Sequence, residues 1–138
     1  MKRHLAIAVI AIAALSYPGL AAAAEKPSSP KTAVGLTAAE NGDYKTAFRV
    51  FNSQAAKGDP EAQFELGMLY ALGKGVKKDF VKAYIWTEIA ARQKEPYADF
   101  IRDEVAANMS PAEIRNAKKR ANAWIRNSGK AVLIPVAK

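Results

Sequence analysis

Slid along itself by 36 residues, this chain matches its own pattern. Asp43 falls on Asp79, Ala47 on Ala83, Ala55 on Ala91, Pro60 on Pro96, Ala62 on Ala98 and Phe64 on Phe100, while Tyr44 meets Phe80 and Phe48 meets Tyr84. A period of this length, with helical spacing inside it, is that of stacked helical hairpins, in which each unit buries its apolar face only against its neighbours. The repeated alanines fit that arrangement, because where two helices cross closely only a small side chain fits between them. No strand pattern competes except in the short run AVLIPVA, residues 131–137.

Inside the repeat the helix boundaries are written in capping chemistry. Tyr44, Ala47, Phe48, Phe51 and Ala55 recur at steps of three and four and share one face. Gly58 ends that helix, and Asp59-Pro60 opens the next, proline being tolerated at a first helical position. Ala62, Leu66, Leu69 and Tyr70 form its stripe, and Gly73 and Gly75 close it. Asp79 caps a third helix, whose apolar residues (Phe80, Ala83, Tyr84, Ile85, Trp86, Ile89 and Ala90) run most of the way round, as in a helix covered on two sides. Pro96 is expected to start a fourth helix, ending near Asn108. Ser110-Pro111-Ala112-Glu113 has the form of a capping box and starts a fifth, with Ile114, Ala117, Ala121 and Trp124 on its apolar face. Asn127, Ser128 and Gly129 stop it.

Residues 62–91 carry Ala62, Leu66, Gly67, Leu69, Tyr70, Gly73, Gly75, Val76, Asp79, Lys82, Ala83, Trp86, Ala90 and Ala91 in the pattern AxxxLGxLYxxGxGVxxDxxKAxxWxxxAA. That pattern resembles the Sel1-like repeat, a relative of the tetratricopeptide repeat. The stretch before it looks like the second helix of an earlier repeat, and residues 95–125 like a degenerate later one in which Arg102-Asp103-Glu104 replaces the LGxLY core. The resemblance implies an all-α fold, a short right-handed solenoid of about five helices over residues 36–127, and a role as a scaffold or adaptor for other proteins. In tetratricopeptide-like stacks the first helix of each pair lines the inner surface. Laid on this chain, that implies a partner-binding face at Glu61, Phe64 and Met68 and, one period later, at Tyr97, Phe100 and Glu104. Two aromatics and a methionine supply apolar area there and the carboxylates supply orientation. A competing expectation is that Phe64 and Phe100 pack the seam between units.

The start of the chain has another grammar. Lys2, Arg3 and His4 precede an unbroken apolar run at residues 5–15, then Ser16, Tyr17, Pro18 and Gly19, then an Ala-x-Ala site at Ala22 and Ala24. This is the order of a secretory signal peptide, 1–24, cut before Glu25. The run is too short to cross a hydrocarbon core, which needs about 20 apolar residues. No cysteine follows it, so attachment of lipid to a new N-terminal cysteine is excluded. The expected location is periplasmic or secreted. Cleavage leaves 114 residues, enough for one domain with a modest core, without a disulfide in an oxidising compartment. Residues 25–35, with Pro27 and Pro30, read as a flexible leader and residues 128–138 as a tail.

Charge is unevenly placed. The whole chain is +8, yet residues 25–114 hold 12 basic and 13 acidic side chains, while residues 115–138 hold seven basic and none acidic. Export argues against a nucleic-acid partner, which leaves an acidic protein, anionic lipid or cell-wall polymer for the basic segment. Arg115, Lys118, Lys119, Arg120 and Arg126 form the candidate anion patch; the alternative is a polar outer face that ends the stack.

Little else in the sequence supports chemistry. The one histidine, His4, leaves with the signal and cysteine is absent, which removes the usual zinc and copper ligands as well as Ser-His and Cys-His nucleophiles. Glu61 with Glu65, and Asp99 with Asp103, are carboxylates four apart, a spacing that could serve acid/base chemistry or calcium but is much more often that of a solvated helix face. Residues 67–74 have one residue too many between glycines for a phosphate loop, and Gly75 stands where a magnesium-holding hydroxyl would be. Ser28-Ser29-Pro30-Lys31 has Ser-x-x-Lys spacing without the companion motifs of penicillin-recognising enzymes. No catalytic residue, metal or cofactor is expected. The expected function is a periplasmic scaffold binding a protein or peptide; the alternatives are an envelope-surface binder using the basic helix, or a regulator or inhibitor of a periplasmic enzyme.

Overall fold

The structure is a computed structural model that describes residues 28–128. The signal-peptide reading and the AVLIPVA run lie outside the described residues. Within them the chain is all-helical: α1 Pro30–Glu40, α2 Tyr44–Ala56, α3 Pro60–Leu72, α4 Phe80–Arg92, α5 Ala98–Ala106 and α6 Pro111–Arg126. Helices α1 to α5 pack chiefly on their neighbours in sequence, whereas α6 lies against α4 and not against α5. The result is two stacked helix pairs, α1/α2 and α3/α4, closed by α5 and α6, which both lie against α4.

The helix starts read from sequence at Asp59, Asp79 and Ser110 are capped there, and Asp43 adds a cap that the periodicity did not name. Asp43, Asp59 and Asp79 accept hydrogen bonds from the backbone N–H of Thr46, Ala62 and Lys82 at 3.1, 3.2 and 3.0 Å. Ser110 and Glu113 close the reciprocal box at the start of α6. Each satisfies donors that the first helical turn would otherwise leave open. The core runs through the middle of the stack, where Phe51, Leu66, Ile85, Ile89, Ile101 and Val105 are fully buried. Trp86 and Trp124 meet edge to face with centroids 5.9 Å apart, which fastens α6 onto α4.

The start of the ordered domain differs from the sequence expectation. A flexible leader to residue 35 is corrected by α1, which begins at Pro30 and makes the helix count among the described residues six. Ser29 caps α1 by accepting from Thr32 N–H, and Pro30 stands at its first position. The Ser29 and Thr32 hydroxyls then donate to the Asp59 carboxylate at 3.0 and 2.7 Å. Asp59 thus caps α3 and anchors α1 at once. Burial pushes its carboxyl up, but the hydrogen bonds from Thr32, Ala62, Ser29 and Glu61 outweigh that and hold it below the usual carboxylate range.

α1 is the first helix of a complete unit. A Cβ at Gly67 would lie 2.6 Å from Thr87 Cγ2, and one at Gly35 would meet the Phe51 ring. Phe51 and Thr87 are one period apart, so the two glycines hold the same place in successive pairs and let the facing helix approach. They are nevertheless only 32 residues apart, because the α1–α2 turn is four residues shorter than the α3–α4 loop.

The fourth sequence helix also starts late. α5 opens at Ala98, not Pro96, because Lys94 and Tyr97 both adopt left-handed backbone (φ 60° and 62°) and coil the approach into turns. Its buried residues are Ala98, Ile101 and Val105. Ile101 and Val105 follow Leu66 and Tyr70 by 35 residues, so one residue is lost after Ala98 and the core positions move forward by one.

Candidate functional site

α3 is enclosed on nearly all sides. Ala62, Gln63 and every residue from Leu66 through Ala71 are buried, which leaves Glu61, Phe64, Glu65 and Leu72 as its partly open stripe. At its far edge Met68 is 9 % exposed and belongs to the hydrophobic core. The expectation that Met68 faces a partner is corrected: its side chain is part of the core, and a serine there would strike packing before recognition. Phe64 is half-buried and packs on the core.

On α5 the picture is more open. Tyr97 and Phe100 are 42 % and 51 % exposed, two of the three large hydrophobics so exposed among the described residues. Tyr97 holds its positive φ at the N-cap without a side-chain cap bond. Left-handed backbone at a non-glycine residue of this size is uncommon and costs on the order of 1 kcal/mol or more. Glu104 is half-buried, while Asp99 and Asp103 are exposed.

The open stripe of α3 is acidic. Glu61 accepts a hydrogen bond from Ser28 Oγ at 2.9 Å. Burial pushes the Glu65 carboxyl from an ordinary 4.5 up to about 7, and the neighbouring Glu61 and Glu95 carboxylates add to it. Glu65 keeps a partly open edge, and among the described residues it makes no ion pair. Along the sequence Glu61 and Glu65 have the spacing of a solvated helix face, whereas nothing in it marks Glu95, which the turn before α5 brings back beside them.

A second group missed from sequence is Glu88, only 4 % exposed. It binds Arg92 at 2.8 Å and Arg102 at 3.0 Å, and Arg102 also reaches Asp103 at 2.8 Å. The network ties α4 to α5, and it uses up the arginine nearest the aromatic strip. Only the Glu88–Arg92 spacing of four was visible beforehand.

The remaining candidates resolve into structure. Gly73 and Gly75 have φ of 67° and 69°, and a Cβ at Gly75 would collide with the Tyr44 carbonyl. Lys74 sits 4.6 Å from the Tyr44 ring centroid and Lys82 5.4 Å from that of Tyr70, so these lysines pack on rings. Ser28 and Ser29 are spent on Glu61, Asp59 and the α1 cap. Among the described residues no group of three or more histidine, cysteine or carboxylate side chains is placed to hold a metal ion, and no helix is long and apolar enough to cross a membrane. On α6, Arg115, Lys118, Lys119 and Arg126 are exposed and Arg120 half-buried, opposite the buried Ala117, Ala121 and Trp124. The structure brings these five cations onto one helix, apart from the aromatic strip.

Stacked pairs with small residues at the crossings and a glycine-bounded loop define a helical-repeat protein. Residues 60–95 match the family model of the Sel1 repeat. The chain is similar to the alginate biosynthesis protein AlgK of Azotobacter vinelandii, 34 % identical over 59 residues, 43 % of this chain and 13 % of that protein. It is also similar to AlgK of Pseudomonas aeruginosa, 28 % identical over 78 residues, 51 % of this chain and 16 % of that one. An uncharacterized protein of Neisseria meningitidis serogroup B is 39 % identical over 51 residues, 37 % of this chain and 11 % of that protein. The chain therefore spans less than a fifth of the length of these relatives. No solved structure matches.

Proposed function

We propose that this protein is an exported, non-catalytic repeat scaffold that binds another protein or a peptide in the cell envelope. The observation that carries the reading is the strip formed by α3 and α5, with Tyr97 and Phe100 standing exposed on it. Aromatic side chains held on rigid helices are the usual anchors of protein recognition, because they bury much area for little lost rotamer entropy. The Sel1 match supports an interaction role, and the names of two relatives place related repeats in proteins of alginate biosynthesis. The signal-like residues 1–24 support export, with Glu25 as the new N-terminus. In the test, protein purified from a periplasmic fraction is weighed intact and then used to capture partners. The expected mass begins at Glu25, and Tyr97→Ser with Phe100→Ser abolishes capture with unchanged helical circular dichroism. Full capture by that double variant overturns the reading.

A second reading is favoured by the row of cations on α6: docking on anionic lipid or cell-wall polymer. Replacing Lys118, Lys119 and Arg120 by glutamine, and adding salt, each reduce retention on anionic vesicles or polymer under this reading. Retention that survives both leaves α6 as the closing helix of the stack.

A further inference from the structure

α5 is the least anchored helix of the stack. It is the shortest of the six described, at nine residues. It seats only Ala98, Ile101 and Val105, while its bulkiest apolar side chain, Phe100, stays open to water. α6 follows it in the chain but lies on α4, fastened there through Trp86 and Trp124. Lifting α5 therefore leaves the contact between α4 and α6 in place.

The way into α5 is strained where its counterpart is not. One period earlier, Gly58 takes left-handed backbone at φ 95° and Asp59 caps α3. Lys94 stands in the place of Gly58 at φ 60°, Tyr97 follows at φ 62°, and no side chain caps the first turn of α5. Residues other than glycine adopt this backbone at a cost, and an uncapped first turn leaves its N–H groups to water.

The polar tie between α4 and α5 parts without stranding a charge. Arg102 Nη1 donates to Glu88 Oε2 at 3.0 Å across the two helices. Glu88 is also held by Arg92 on its own helix at 2.8 Å, and Arg102 by Asp103 on its own at 2.8 Å. Breaking a buried ion pair is costly chiefly where a charge is left without a partner. Here each keeps one, so separation costs the bond between Arg102 and Glu88 and the seat of three apolar side chains.

We propose that α5 is a detachable strap: it lifts from α4 as a unit, turning about residues 93–97 and 107–110, while α1–α4 and α6 stay folded, with the Arg102–Glu88 pair as its latch. Elements with few buried contacts open at lower free energy than the core they rest on, and the moving parts of proteins are drawn from that class. Release brings the buried Glu88 carboxylate to water. Tyr97 and Phe100 ride on the same element, so whatever grips them takes hold of the part of the stack that moves. The strap does not depend on the scaffold reading, because every feature that loosens α5 lies within the chain.

The test is native-state amide hydrogen exchange of the full protein, read helix by helix. The amides of Ile101 to Ala106 are expected to be protected about 100-fold less than those in the middle of α4 and α6, through an opening that exposes little surface and so depends weakly on urea. Arg102→Gln removes the latch and should speed exchange in α5 about tenfold further, a difference of about 1.4 kcal/mol, with α1–α4 and α6 unchanged. Lys94→Gly acts in the opposite sense: it relieves the turn and should slow exchange in α5 about fivefold. A residue that merely stabilises the whole fold would move protection in every helix together. Equal protection in α4, α5 and α6 overturns the proposal. So does an Arg102→Gln effect spread evenly over all helices, or an α6 that opens together with α5.

Discussion

Consider Glu65→Gln. The carboxyl sits near 7 in the folded protein against an ordinary 4.5, first because burial disfavours its charged form and then because Glu61 and Glu95 face it. Between those two values the folded state keeps a proton that the unfolded chain releases, so folding stability falls as pH rises through this window. The group makes no demand on stability below about pH 4.5, and its full cost is present above about pH 7. The separation between the two values corresponds to an upper bound of about 3 kcal/mol, and partial access to water lowers the expected figure to about 1–2 kcal/mol. Glutamine is isosteric and never charged, so Glu65→Gln should match the parent near pH 4 and exceed it by that amount near pH 8. Urea unfolding followed by circular dichroism across that range reads both effects as a midpoint that separates from the parent only as the solution becomes more alkaline. If the two midpoints coincide at pH 8, or if they diverge toward acid instead, the carboxylate group at Glu61, Glu65 and Glu95 is not assembled as described.

Two further outcomes test packing and presentation. Trp86→Ala removes a ring that is 4 % exposed and seated against Trp124, and should cost about 3–5 kcal/mol by thermal or urea unfolding. A double-mutant cycle with Trp124 should return a coupling of about 0.5–1.5 kcal/mol, and an unchanged melting midpoint for Trp86→Ala would mean that α6 does not lie on α4 through this pair. Tyr97→Asn places at the α5 N-cap a residue that tolerates left-handed backbone and can cap, and should raise stability by about 1 kcal/mol while weakening partner capture. A variant that gains stability and keeps full binding would show that Tyr97 is not an anchor.

Features under the control of local chemistry could be read along the chain. The all-helical stack was readable from the 36-residue repeat, and the starts of α2, α3, α4 and α6 from Asp43, Asp59, Asp79 and Ser110, each of which caps a backbone N–H three residues on. The structural reading of Gly67, Gly73, Gly75 and Trp86 could likewise be made in advance, since a positive φ or a close helix crossing leaves its mark on the residue that must tolerate it. α1 escaped because its turn to α2 is four residues shorter, which puts it out of register with the period, and because Thr32 and Ser29 find their partner in Asp59 about a helical hairpin away. Its Ser29-Pro30 start, the same kind of pair as Asp59-Pro60 and Ser110-Pro111, was the signal available.

The candidate face divides the same way. Glu61, Phe64 and Phe100 could be placed on first helices by laying the resemblance to tetratricopeptide-like stacks on the repeat. Met68 could not be assigned from spacing, because whether a residue at the edge of a helix stripe is open or closed depends on the packing around it. Nor could the loss of one residue within α5; periodicity counts residues, whereas burial of Ile101 and Val105 is decided by α5 turning its apolar face into the stack. The meeting of Glu61, Glu65 and Glu95, and the capture of Arg102 by Glu88, belong wholly to tertiary structure, since Coulomb energies depend on separation in space and on the water excluded between charges, and neither quantity is written in the order of residues along the chain.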